Sequence, residues 1–252
     1  MAYEEASMST QVVSPSLSVQ AVLQKWGQAE VSRRVKKLSP EKQELARQMI
    51  ALDLMSRPVA SFDSGPLYWL TKFTKTEDEH WFEKGTQFIS PFPRKEYFLP
   101  VMQHMIDEKV LFIQKSREMM TSWEATGFAT WGASKVGLFW LFQSEKDDKV
   151  IQLVNYARIL HRNQPKWLID QNPLIVDNDH ELMWKRGGKI VGIPGGADQV
   201  RSWHPYGLIS DESAFQQEFE ASFNSAKPVC KKIICISTDA MGPFHTICKE
   251  AA

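Results

Sequence analysis

Residues 110–131 read VLFIQKSREMMTSWEATGFATW. An apolar run of strand character leads into a mostly polar segment, and from there into a stretch with apolar residues at helical spacing. Strand, loop and helix in that order are the layout of a phosphate-binding loop. Such a loop wraps backbone N–H groups and a helix N-terminus around phosphates, with a basic residue on the charge and a hydroxyl on Mg2+. The standard pattern, GxxxxGK followed by Ser or Thr, is absent. Ser122 stands at the hydroxyl position, Thr121 where lysine would sit, and Met120 where glycine would sit.

The same alternation continues outward from this stretch. Apolar runs at VLFIQ (110–114), GLFWLFQ (137–143), KIVGIP (189–194), YGLIS (206–210) and KKIICIS (231–237) predict strands, and residues 122–136 and 145–163 predict helices. Strands separated by helices imply an α/β fold, a parallel sheet with helices on its faces. Each run ends in polar or reactive residues: KSREMMTS, SEKDD, PGG, DES and STD in turn. The carboxyl ends of parallel strands form a ligand crevice, so these endings can converge on one site.

Asp211 and Glu212 follow YGLIS directly. A nucleotide hydrolase needs one carboxylate to hold Mg2+ and a neighbouring one to orient or deprotonate the attacking water. The pair equally suits a helix N-terminus, where acidic residues offset the dipole and cap free N–H groups.

With 252 residues the chain suits one large α/β domain plus an appended segment. Its 43% hydrophobic and 24% charged residues are globular values, and no apolar run approaches the roughly 20 residues that span a bilayer. Thirty basic and thirty acidic residues cancel, so bulk attraction to nucleic acid is excluded and any DNA contact must be a local patch. No signal sequence is visible, which argues against secretion, and three late-clustered cysteines are not a disulfide framework. Six histidines lack ligand spacing, and most of the nine tryptophans fall in apolar runs that suit core packing. Residues 1–16 are polar and aperiodic, predicting a mobile arm. Residues 17–58 predict a helical lead-in, with a start signal at Ser39-Pro40-Glu41 and an end at Pro58. The main domain is expected over 59–252, its first part, 59–97, being irregular, aromatic and rich in turn formers.

QKSREMMTSW, SEKDDKVIQLV, IPGGADQVRSWHP, LISDESAF and ISTDA occur in an order and spacing that resemble the ATPase domain of viral large terminases. These are the motors that pump DNA into proheads, and the likeness covers residues 95–242. It implies a P-loop NTPase-like fold of RecA or ASCE type, a parallel sheet flanked by helices with a small helical N-terminal lead-in. In that family the phosphate loop is often deviant, its basic residue moved to the start of the loop. By that resemblance ATP is held by Lys115, Ser116, Arg117, Glu118, Met119, Met120, Thr121 and Ser122, with Lys115 or Arg117 on the phosphates. Asp211 and Ser122 become the magnesium ligands and Glu212 the catalytic glutamate. Met120 departs from the family's glycine: its Cβ penalises left-handed backbone and crowds the phosphates.

Ser237, Thr238 and Asp239 resemble the family's motif that couples hydrolysis to movement, although Ser-Thr after a strand also makes an ordinary turn. Arg201 matches a segment in which some members carry an arginine that reaches an adjacent subunit's ATP as an arginine finger. It also reads as a surface arginine paired with Asp198 or Glu218. Gln103, in FLPVMQHM, matches the place where a glutamine reads adenine in related motors.

The implied activity is ATP hydrolysis with Mg2+ that drives double-stranded viral DNA into the prohead, in the cytoplasm of the infected host cell. The implied partners are that DNA, a portal protein, a small terminase subunit and further copies in a ring. Full-length members add an RNase H-like nuclease domain, which these residues do not include, so DNA cleavage is not expected of them. Two rival readings share the features: a helicase-like or remodelling ATPase, which calls for a second core domain, and a degenerate nucleotide-binding module, motivated by Met120 and Thr121.

Overall fold

The computed structural model describes residues 30–238 and 242–251. The expected arm at 1–16, the lead-in residues 17–29 and Asp239 lie outside the described residues. Residues 30–35 are helical, and helix α1 follows at Pro40–Ser56. Ser39 is extended, and Pro40 occupies the first turn, where a missing N–H leaves no bond unmade. Arg57 is extended as well, because the ring of Pro58 disfavours helical backbone in the residue before it, and α1 stops there.

The segment 59–97 is more regular than its composition predicts. Helix α2 (Gly65–Phe73) opens on Gly65-Pro66, a pair that resembles a turn in sequence. Here Gly65 takes φ +64° and Pro66 enters the first turn. Strands β1 (Lys75–Glu77) and β2 (Ile89–Pro91) then pair antiparallel.

Helix α3 (Phe98–Asp107) leads into β3 (Val110–Gln114). Helix α4 (Thr121–Trp131) continues into a π-helical turn at Gly132–Val136, followed by β4 (Phe139–Gln143), α5 (Asp147–Arg162) and α6 (Lys166–Gln171). Next come β5 (Leu174–Asp177), β6 (Glu181–Trp184), β7 (Lys189–Ile193), α7 (Ala197–Arg201) and β8 (Gly207–Ser210). Helix α8 (Phe219–Ala226), β9 (Lys232–Ser237) and α9 (Pro243–Ala251) complete the order.

A seven-stranded sheet runs β3-β9-β8-β4-β7-β6-β5. Its first five strands are parallel and coincide with the five apolar runs of the sequence. Every residue of β9 is buried, as expected of a strand covered on both faces. The expected parallel sheet is present, and two further strands extend it at one edge, where β6 pairs antiparallel to β7 and β5 antiparallel to β6. LIVD and ELMW are short and alternate in burial, so neither forms the apolar run by which the other strands are recognised.

Side-chain alternation along the strands feeds two cores. Trp140, Phe142, Ile209, Ile234 and Ile236 face the side packed by α2, α3, α4 and α5, a core that also takes Ala51 and Met55 of α1. Leu141, Leu208, Ile233 and Cys235 face the other side with Val200, Phe219, Phe223 and Phe244. No helix among the described residues is long and apolar enough to cross a membrane.

Candidate active site

Strand β9 lies between β3 and β8, so one strand separates the loop after β3 from the acidic pair after β8. The end of that strand ties the two together. The carbonyl oxygen of Ser237 accepts the N–H of Lys115 at 3.0 Å, and its hydroxyl oxygen accepts the N–H of Ala214 at 3.1 Å. Thr238 follows, half-buried.

Helix α4 begins at Thr121, which is buried, and Ser122 projects from its first turn. The Ser122 hydroxyl donates to Asp211 Oδ1 at 2.9 Å, joining residues 89 positions apart. Asp211 is 9% exposed. Burial pushes its carboxyl up to about 6, while the Ser122 hydrogen bond and the Lys115 ammonium pull it down. Lys115 is thus the basic residue of the loop whose charge acts on Asp211. Ser116, Arg117 and Glu118 are exposed at the turn, and Met119 and Met120 are half-buried.

Among the described residues, three that are not glycine have positive φ: Glu118 (63°), Met120 (53°) and Glu212 (53°). All three lie in the two loops that Ser237 bridges. Left-handed backbone costs a residue with a Cβ about 1–2 kcal/mol, and such strain tends to persist where the surroundings enforce it, at functional sites above all. At Met120 the backbone has the conformation that the family's glycine would take freely. On the reading of this loop as an ATP site, Met120→Gly, which removes the Cβ that would crowd the phosphates, is expected to bind ATP several-fold tighter, with little change in melting temperature. The relief of about 1 kcal/mol is offset by lost packing of the methionine on the main core. Titration calorimetry checks this, and weaker binding by the glycine variant contradicts it.

Glu212 is half-buried and precedes the short 3-10 turn Ser213–Phe215. Consecutive residues of an extended strand point to opposite faces, so an extended Glu212 would turn its carboxylate away from the side on which Asp211 meets Ser122. The left-handed backbone at Glu212 breaks that alternation.

Several residues around the loops carry no motif signal. Tyr97, at the start of α3, donates its hydroxyl to the carbonyl oxygen of Met119 at 2.9 Å and steadies the phosphate loop from outside. His80 Nε2, in the β1–β2 connection, lies 3.9 Å from Glu118 Oε2. Trp123 stacks on Tyr156, their ring centroids 3.9 Å apart. Glu124 is fully buried with both oxygens unpartnered among the described residues, and burial pushes its carboxyl up to about 9. Only the spacing of Tyr97 from the loop, eighteen residues before Lys115, could have pointed to it, and no periodicity singles that spacing out.

Two expected site residues lie elsewhere. Gln103 sits in the half of α3 nearer the amino end of β3, donates to the carbonyl of Val59 at 3.5 Å, and lines a cavity of about 800 Å3. Leu138 and Tyr206, which precede β4 and β8, line the same cavity, so Gln103 is at the amino edge of the sheet and the loops are at the carboxyl edge. Arg201, on the last residue of α7, pairs with Asp198 at 3.2 Å and donates to Ser225 Oγ at 3.1 Å. Asp198 is one of the surface partners its sequence position allowed.

Mg2+ is held in phosphate sites by one or two protein oxygens, with phosphates and waters completing the shell. A hydroxyl and a carboxylate oxygen in direct contact, Ser122 and Asp211, fit that donor set. A cage of three or more His, Cys, Asp or Glu side chains is not found among the described residues, and Mg2+ does not need one.

No protein-family model and no curated protein matches the sequence. Among solved structures, the large terminase of bacteriophage HK97 superimposes with a TM-score of 0.51 at 9% identity, over 69% of this chain and 36% of that one. This chain therefore spans about a third of the HK97 protein and has the fold of that part of it. The N-terminal domain of the DNA packaging ATPase from bacteriophage phi29 gives a TM-score of 0.47 at 15% identity, over 60% of this chain and 84% of that one. The large terminase ATPase domain of Thermus phage P74-26 gives 0.44 at 13% identity, over 68% and 73%.

Proposed function

We propose that this chain is an ATP-hydrolysing motor part of a large-terminase-like DNA-packaging protein. The observation that carries the reading is the contact of Ser122, in the first turn of the helix after a phosphate loop, with Asp211, which follows β8, the next strand but one in the sheet. Lys115 would neutralise phosphate charge, and the backbone N–H groups at the start of α4 would receive phosphate oxygens. Ser122 and Asp211 would hold Mg2+, which when bound supplies positive charge to the β- and γ-phosphate oxygens. Glu212 would orient the attacking water and accept its proton. Ser237, in contact with both loops, would transmit a change at one to the other, Thr238 and Asp239 being by the resemblance the rest of the coupling motif. By the resemblance, double-stranded viral DNA, a portal protein, a small terminase subunit and a ring of further copies are the partners. In such a ring Arg201 would act on a neighbouring subunit's ATP.

Strained non-glycine residues at Glu118 and Met120 favour one rival, a nucleotide-binding module without catalysis. Phosphate release distinguishes the two. Wild type is expected to release phosphate in an Mg2+-dependent way, and Lys115→Ala to weaken ATP affinity about tenfold or more, as loss of a charge-assisted phosphate contact does. Arg117→Ala, at the exposed turn, is expected to matter less. No phosphate release from wild type, even with DNA and portal present, favours the inactive module.

A further inference from the structure

Beneath the acidic pair lies a polar layer that the sequence motifs do not account for. Gln143 on β4, Ser210 on β8 and Cys235 on β9 are register partners, a row across three adjacent strands. All three are buried, on the face opposite α4. Ser213 and Gln216, from the turn after Glu212, cover the row and are buried too. The Ser213 hydroxyl lies 2.8 Å from the Ser210 carbonyl oxygen and 2.9 Å from the Ser210 hydroxyl. Gln216 Nε2 donates to Ser210 Oγ and to the carbonyl oxygen of Asp211, each at 2.9 Å.

The last of these bonds bears on the chemistry. The Asp211 carbonyl belongs to the peptide unit that joins Asp211 to Glu212, and rotation of that unit sets φ of Glu212. Glu212 holds φ +53°, a conformation its Cβ disfavours, so something must hold the peptide plane. Within a buried layer, the Gln216 amide is the side chain that grips it. The grip is directional: Nε2 faces two acceptors, while Oε1 is buried without a partner among the described residues. A carboxylate in its place would set oxygen against oxygen.

We propose that Gln216 is a positioning residue for hydrolysis, which fixes the left-handed backbone of Glu212 and thereby the aim of its carboxylate. This rests on the reading of Glu212 as the water-activating group. Gln216→Met keeps length and volume but removes the donor, and Gln216→Glu reverses the polarity. In both variants of the full chain, kcat for ATP is expected to fall about tenfold, the worth of one buried hydrogen bond. Affinity for Mg2+-ATP should stay within about twofold, because the lost bond is to the Asp211 backbone carbonyl, while the Asp211 carboxylate keeps its contact with Ser122 and Lys115 is unchanged. In a Glu212→Ala background, Gln216→Met should cost nothing further, because its effect passes through Glu212; a general structural role would instead add its loss in either background. Wild-type turnover in Gln216→Met, or an equal loss with and without Glu212, overturns the inference while leaving the function reading intact. Absence of Glu212-dependent hydrolysis in the wild type overturns both.

Discussion

Glu212→Gln should abolish most ATP hydrolysis and leave ATP binding in place. A positioned general base contributes about 10²–10⁴-fold, so phosphate release should drop by that factor while Mg2+-ATP affinity changes little. The substitution keeps the side chain's shape and the left-handed backbone, so the loss isolates the carboxylate's proton-accepting role. The same change at Asp211 should act differently. Asp211→Asn removes the charge that meets Ser122 at 2.9 Å and should weaken Mg2+-dependent binding before any chemistry occurs. Separate signatures for two adjacent carboxylates are the consequence of their different settings, Asp211 buried against Ser122 just past β8 and Glu212 half-buried on left-handed backbone beyond it. A Glu212→Gln protein that hydrolyses at the wild-type rate shows that the carboxylate is only part of the turn.

The second large effect lies away from the site. Lys135, in the π-helical turn after α4, donates to Gln164 Oε1 at 3.2 Å, and Trp69 Nε1 donates to the same oxygen at 2.8 Å. Burial pushes the Lys135 ammonium down to about 7, and the nearby Arg186 charge adds to the fall. Gln164 in turn donates to Nδ1 of His161, at 3.2 Å, which burial and then the Lys135 charge push down to about 4. The Asp177 charge acts on His161 in the opposite sense.

Unfolded, Lys135 would hold its proton up to about 10.5. Between 7 and 10.5 the unfolded chain therefore binds more protons than the folded one, and the contribution of Lys135 to stability rises with pH across that window. Below 7 the folded protein carries the cost of a largely desolvated ammonium that donates to a neutral partner, the Gln164 amide oxygen. Lys135→Met should stabilise the protein at pH 6 by about 2–4 kcal/mol, and the advantage should shrink steadily as pH rises towards 10. His161 gives a second rise, between 4 and 6.5, which the substitution should narrow but not remove, because burial is its largest cause and the Lys135 charge the next. Glu124, raised to about 9, acts in the opposite sense between 4.5 and 9, so the diagnostic quantity is the difference between variant and wild type at each pH. Denaturant melts at several pH values provide it, and a difference that does not change with pH contradicts the account.

The sequence announces the five parallel strands because strands buried on both faces must be apolar along their whole length, as KKIICIS and GLFWLFQ are. The edge hairpin of β5 and β6 needs no such run, since β5 is half open to solvent, and it went unrecognised. The strain at Met120 was legible because a glycine position marks a left-handed backbone. Glu212 gave no such hint: an acidic residue in that conformation is fixed by tertiary contacts, Gln216 and Ser237 among them, that come from other parts of the chain or from the turn's own packing. Gln103 shows the converse limit. Its match to a place where related motors carry an adenine-reading glutamine suggested a site residue, but the structure sets its side chain against Val59, in a cavity at the amino edge of the sheet.

The account stands most directly on whether the Ser122–Asp211 contact is a magnesium site for bound ATP. Titration calorimetry with a non-hydrolysable ATP analogue, with and without Mg2+, in wild type, Ser122→Ala and Asp211→Asn, measures it. Binding in the wild type should tighten about tenfold or more with Mg2+, and each substitution should remove that gain. Binding that is indifferent to Mg2+ in the wild type, or an Mg2+ gain that survives both substitutions, contradicts the account.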